Sequence, residues 1–143
     1  MANTPDSARM IALDDHDGWA DLLRRDPAAF HAERSKHGRD TRPSLRDANL
    51  AFAGARLERV AFTGADLSGA TFVDASALGG EWDRIRAIEA CFDRASLTET
   101  ILFAADLSRA TFRKARLVDC HLTGANVSGC NFDQCKWDHA TSD

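Results

Sequence analysis

Tyrosine is absent from these 143 residues, and proline occurs only three times. Nine scattered glycines and three prolines exclude a collagen-like or polyproline chain. No apolar run approaches the roughly 20 residues needed to cross a bilayer. The opening MANTPDSARMIALDDHD has no basic stretch leading into an apolar one, so no secretory leader is expected. Four cysteines in a chain of this size do not demand a disulfide framework. Neither sign of charge dominates: 18 Lys and Arg face 22 Asp and Glu, for a net charge of −4. That balance argues against direct nucleic-acid binding. The remaining class is a slightly acidic cytoplasmic protein, with no membrane partner and enough chain to bury a core.

A five-residue period is what the sequence does have. From Ala55 onward the chain divides every five residues without an insertion, and the central residue of each unit is a hub. The hubs run from Leu57, Phe62, Leu67 and Phe72 to Leu122, Val127, Phe132 and Trp137. All 17 are apolar. The residue two before each hub is small in most units, and ten of these 17 are Ala. A five-residue repeat of one large and one small buried residue fits neither a helix nor a simple strand. Each unit must therefore turn a corner. A second period lies on the first, because Phe72, Phe92, Phe112 and Phe132 are each 20 residues apart. Four units then complete one coil of a square tube, and these four hubs stack on one side. At about 4.8 Å between hydrogen-bonded neighbours, a little over four coils make a tube about 20 Å long.

The stretches SLRDANL, AFTGADLSGATF, AADLSRATF and LTGANVSGCNF resemble the pentapeptide-repeat family, whose motif is A(D/N)LXX. The resemblance covers Leu45 to Trp137 and implies an all-β solenoid, a right-handed quadrilateral β-helix of about four to five coils. The expected organisation is an N-terminal helical cap and lead-in at 1–44, the repeat body at 45–137 and a tail at 138–143. Two departures from the motif stand out. Leu50 and Leu57 are seven apart, so the register shifts near Phe52. The stretch SALGGEWDRIRAI (76–88) matches poorly, which predicts a distorted side bulged around Gly79 and Gly80.

In the first 44 residues, Trp19, Leu22 and Leu23 recur at helical spacing. Asp26-Pro27 reads as a cap and first position of a second helix carrying Phe30, and His37-Gly38 reads as its end. A repeat stack needs an atypical element over its exposed end. Trp19, Leu22, Leu23 and Phe30 are the expected covering residues.

The candidate chemistry is sparse. Cys120, His121, Cys130, Cys135 and His139 crowd the last units, but zinc requires thiolates converging on one point. Cys120, Cys130 and Cys135 instead replace Ala at the small inward position, where Cys acts as a small hydrophobe. Cys91 precedes a hub and should face outward. Asp14, Asp15, His16 and Asp17 sit at a helix start, where acids are favoured by the helix dipole. No phosphate loop, nucleophile elbow or zinc signature is present. The expectation is no enzyme, no catalytic residue, no metal and no cofactor.

The function expected is a non-catalytic scaffold or protein-interaction module. The family resemblance implies an alternative, protection of DNA gyrase by an acidic, rod-like mimic of duplex DNA. Mimicry needs a continuous negative stripe, and the columns before the hubs are mixed or basic (Arg56, Ser76, Ser96, Arg116, Lys136). Asp74 with Arg94 and Glu89 with Arg109 are 20 apart and should form ion pairs between coils. Ile101 and Phe103 flank the hub Leu102 and are the expected partner surface. Phe132 and Trp137 at the C-terminal end suggest a weak end-to-end homodimer.

Overall fold

The computed structural model describes residues 16–36, 56–58, 60 and 62–141. The shift near Phe52, the acids Asp14 and Asp15, and the helix end at His37-Gly38 lie outside the described residues, as do the side chains of His16 and Asp17. The described chain opens with two short helices, α1 (His16–Arg25) and α2 (Pro27–Ser35). It then winds into a right-handed quadrilateral β-helix.

The coil is built by one hydrogen-bonding scheme repeated every five residues. The hub carbonyl accepts from the N–H three residues on, as in Ala75 to Phe72 (3.1 Å) and Ala95 to Phe92 (3.0 Å), which closes a β-turn at each such corner. The residue two after the hub takes a positive φ, at 60° in Asp74 and 58° in Arg94, the signature of a type II turn. The hub N–H and the positive-φ N–H both donate to the next coil, as from Phe92 to Thr111 (2.7 Å) and from Arg94 to Arg113 (2.8 Å). The residue before the hub donates to the previous coil, as from Cys91 to Ala70 (2.9 Å). One N–H per unit remains, on the residue after the hub. At Ser68, Ser108, Ser128 and Asp133 the side chain of Asp66, Asp106, Asn126 or Asn131 accepts it at 3.0–3.1 Å. That is the physical reason for Asp or Asn before the hub: it closes the turn's last open donor.

Bridging partners are parallel and 20 residues apart, from Arg56 with Ser76 to His121 with Thr141. At one side the pairing lengthens into two short strands, β1 (Arg116–Val118) and β2 (Lys136–Asp138), with Leu117 opposite Trp137. Four walls result, numbered by their earliest hubs: Leu57, Phe62, Leu67 and Phe72. On the fourth wall Phe72, Phe92, Phe112 and Phe132 stack with centroids 5.0, 4.9 and 5.2 Å apart and planes within 16°. These spacings match the rise between coils, so backbone ladder and ring stack share one repeat.

The expected bulge at 76–88 does not occur. Ser76, Glu81 and Arg86 bridge to Ser96, Ile101 and Asp106 in unbroken register. The irregular residues there compensate one another in volume. Trp82 is fully buried and flanked by two small hubs, Ala77 and Ala87, while Ile85 fills a usually small position. Gly80 has no side chain because a Cβ there would lie 2.5 Å from the Trp82 indole nitrogen. That indole N–H donates to the Val60 carbonyl at 3.1 Å.

Both helices lie against this core. Asp26 Oδ1 accepts the Ala29 N–H at 3.1 Å, capping α2 ahead of Pro27. Trp19, Leu23 and Phe30 are fully buried, and Leu22 is half-buried against them. Phe30 meets Trp19 edge-on at 5.5 Å and Phe62 at 5.7 Å, which joins the helices to the aromatic interior of the tube.

Candidate functional site

The interior of the tube is occupied by its own side chains: the hubs from Leu57 to Leu122 are buried, with Trp82 and four Phe rings among the largest. The candidate cysteines fall into that interior. Cys120 Sγ donates to the Leu97 carbonyl, and Cys130 Sγ donates to the Leu107 carbonyl at 2.9 Å. Thr100, in the same inward position as Cys120 one coil earlier, bonds the Ala77 carbonyl in the same way. Burial pushes the Cys120 thiol up to about 12 and the Cys135 thiol up to about 11, and raises Cys130 as well. Thiols held protonated in this way are poor nucleophiles and poor ligands.

The two C-terminal imidazoles lie elsewhere. His121 projects outward beside the Thr141 hydroxyl, 3.3 Å from Nδ1. His139 lies outward by Asp119 and Asp138 at 3.5 and 3.6 Å. The residues that crowd the sequence are thus divided between inside and outside, and among the described residues no metal-holding group forms. Cys91 sits half-buried on the fourth wall, bridged between Thr71 and Thr111.

The outer surface carries the remaining candidate groups. The pairs Asp74–Arg94 and Glu89–Arg109 form between coils at 2.9 Å each. The Arg94 hydrogen bonds hold the Asp74 carboxyl below the usual carboxylate range. Both pairs are largely exposed, so solvent screening leaves each of them little weight in stability.

Ile101 and Phe103 are two of five large hydrophobic side chains exposed among the described residues, and they flank one hub. They are 38% and 50% exposed, and the buried hub Leu102 lies between them. Their own backbone is tied to the preceding coil, and the neighbouring Leu102 and Ala104 N–H groups donate to His121 and Thr123 of the following one. The Ile101 N–H donates to Gly80, the Ile101 carbonyl accepts from Trp82, and the Phe103 carbonyl accepts from Arg84, all within 2.9 Å. Two apolar side chains are thereby presented on a rigid surface, Ile101 on the second wall and Phe103 at its corner with the third, with little conformational freedom left to lose on binding. Leu78 is also exposed, at 43%, on the corner between the first and second walls. In the last coil Val127 and Trp137 are 39% and 46% exposed, and Trp137 tilts against Phe132 at 4.6 Å.

A model of pentapeptide repeats matches the chain in eight copies, over residues 44–77 and 100–136. The chain belongs to the pentapeptide-repeat family. Solved structures of the family superpose on it. HetL, a pentapeptide repeat protein involved in heterocyst differentiation regulation in Nostoc sp. strain PCC 7120, is 28% identical with a TM-score of 0.57. That match covers 65% of this chain and 50% of HetL. A thylakoid-lumen pentapeptide repeat protein of Arabidopsis thaliana is 25% identical with a TM-score of 0.59, covering 62% of this chain and 64% of its own. QnrB1, a plasmid-mediated fluoroquinolone resistance protein, is 22% identical with a TM-score of 0.56, covering 62% of this chain and 44% of QnrB1; at that identity the likeness is one of fold. This chain thus spans about half the length of HetL and less than half of QnrB1. Among curated proteins no sequence matches it.

Proposed function

We propose that this pentapeptide-repeat protein is a non-catalytic interaction module that docks a protein partner on its second wall, through Ile101 and Phe103. One observation carries the reading: two neighbouring apolar side chains stand exposed on a wall and at its corner, and the backbone there is held by the coils on either side. An interior filled by hubs offers no room for a substrate, so specificity must reside outside. Among the described residues, the buried thiols of Cys120 and Cys135 are held protonated, and His121 and His139 stand outside, apart from them. Among the described residues no helix is long and apolar enough to cross a membrane, and a cytoplasmic site of action is part of the proposal.

Affinity capture from the cell that makes the protein tests this reading. The comparison is between the native chain and the Ile101→Ser/Phe103→Ser variant, whose substitutions are at exposed positions and whose melting temperature is measured alongside. A partner held by the native protein and lost from the variant supports docking on this wall. Equal retention by both places the contact elsewhere.

The second reading is gyrase protection, for which the fluoroquinolone resistance protein among the structural neighbours is the motive. Against it stands the corner between the fourth and first walls, where Arg94, Arg113, Lys114, Arg116 and Lys136 interrupt any negative rod. Titration into gyrase supercoiling reactions, with and without a fluoroquinolone, is expected to change neither. Inhibition of supercoiling or rescue from the drug would reverse the preference. A weak end-to-end homodimer through Phe132 and Trp137 is a further part of the proposal, motivated by the exposure of Trp137. Light scattering over a concentration series, for native protein and Trp137→Asp, checks it. A monomer throughout for both proteins would remove it.

A further inference from the structure

The second wall differs from the other walls in charge as well as in apolar content. Ile101 bridges Glu81 on one side and His121 on the other, and Phe103 lies one coil above Asp83. At the edge toward the first wall, Glu99 and Asp119 occupy successive positive-φ corners, where their side chains are exposed. Glu58 and Asp138 lie on the same corner, one residue earlier in their units. Six carboxylates therefore border this wall among the described residues, and Arg84, the one guanidinium with them, is engaged by Asp83 at 3.2 Å. The opposite edge of the first wall has the reverse sign. There Arg113, Lys114, Arg116 and Lys136 project with no ion pair among the described residues. Six of the twelve carboxylates between residues 56 and 141 thus border the wall that carries Ile101.

We infer that the second wall receives a basic amphipathic polypeptide segment, whose apolar residues pack on Ile101 and Phe103 while its Lys or Arg side chains meet the bordering carboxylates. This rests on the interaction-module reading and adds the chemistry of the partner. Complementary charge around a central apolar anchor speeds encounter and sets orientation, while the anchor supplies most of the affinity. An acidic partner is rejected by the same border through like-charge repulsion. The ladder that fixes Ile101 and Phe103 keeps the anchor in place before binding, so little ordering is required of this side.

The test is selection of short random peptides displayed on phage against the full-length protein, counted against the Ile101→Ser/Phe103→Ser variant. The expected winners combine aromatic or aliphatic residues with several Lys or Arg. Their affinity should fall at least about tenfold in Phe103→Ser. It should also fall at raised salt and in Glu99→Lys/Asp119→Lys. Peptides that depend on Phe103 yet are neutral or acidic would overturn the basic-partner inference and leave the docking wall standing. Basic peptides indifferent to Phe103 would overturn it as well, because attraction would then be electrostatic alone. No enrichment over the variant would remove both the inference and the docking reading beneath it.

Discussion

At the scale of single residues, the fold turns on what each of five positions must do. The positive φ two after the hub is occupied by eleven non-glycine residues, Arg, Asp and Glu among them, so the coil tolerates a conformation that L-residues seldom adopt. Hydrogen bonds from nine of those residues to the next coil offset the strain. Gly80 is different, because its constraint is steric. Gly80→Ala would place a methyl group against the Trp82 indole and disturb its bond to Val60. A loss of about 1–3 kcal/mol is expected, measured by denaturant unfolding; an unchanged midpoint would contradict the fit described for Trp82. Cys120 gives a pH-dependent prediction. Its folded thiol keeps its proton up to about 12, whereas an unfolded thiol ionises near 9.0. The unfolded state therefore binds fewer protons between those values, and stability falls as pH rises through that window, by on the order of a few kcal/mol at its top. Cys120→Ala, which places the commonest inward residue there, should flatten the alkaline limb of thermal stability. Equal slopes for both proteins would mean that the thiol is not held protonated.

At the scale of the element, the coil is a stack of like rings as much as a ladder of hydrogen bonds. Phe92 is fully buried and stacks on both Phe72 and Phe112. Phe92→Ala should cost about 3–5 kcal/mol. Phe132, half-buried with one stacked Phe neighbour, should cost clearly less on the same substitution, and comparable losses would contradict the stack as drawn. The five- and twenty-residue periods were readable because every coil repeats one hydrogen-bonding scheme, so the same demand recurs at fixed spacing. The irregular coil was misread for an equally physical reason. Gly80, Trp82 and Ile85 look wrong one at a time, and Ala77 and Ala87 look too small, but their volumes balance as a set. The helices were legible from Asp26-Pro27 and from the spacing of Trp19, Leu22 and Leu23. Nothing local in the sequence revealed that Phe30 would meet Phe62.

At the scale of the whole molecule, a tube with a filled interior and a polarised exterior is suited to holding a partner. Ile101 and Phe103 could be placed outside from the sequence, because they alternate around a hub. Their acidic border could not be read from columns taken one wall at a time. Glu99, Asp119 and Asp138 belong to units of the first wall, yet they lie on the corner it shares with the second. The basic corner opposite was hidden in the same way, since Arg113 and Lys114 belong to a unit of the fourth wall while Arg116 and Lys136 belong to the first. On the proposed reading, the second wall is where this protein meets another. A photo-crosslinking phenylalanine analogue placed at Phe103 tests it most directly, with Val73 on the corner beyond the fourth wall as the matched control. In the producing cell, irradiation should give a discrete adduct from position 103 and none from position 73. No adduct at 103, or the same adduct from both positions, would contradict the claim.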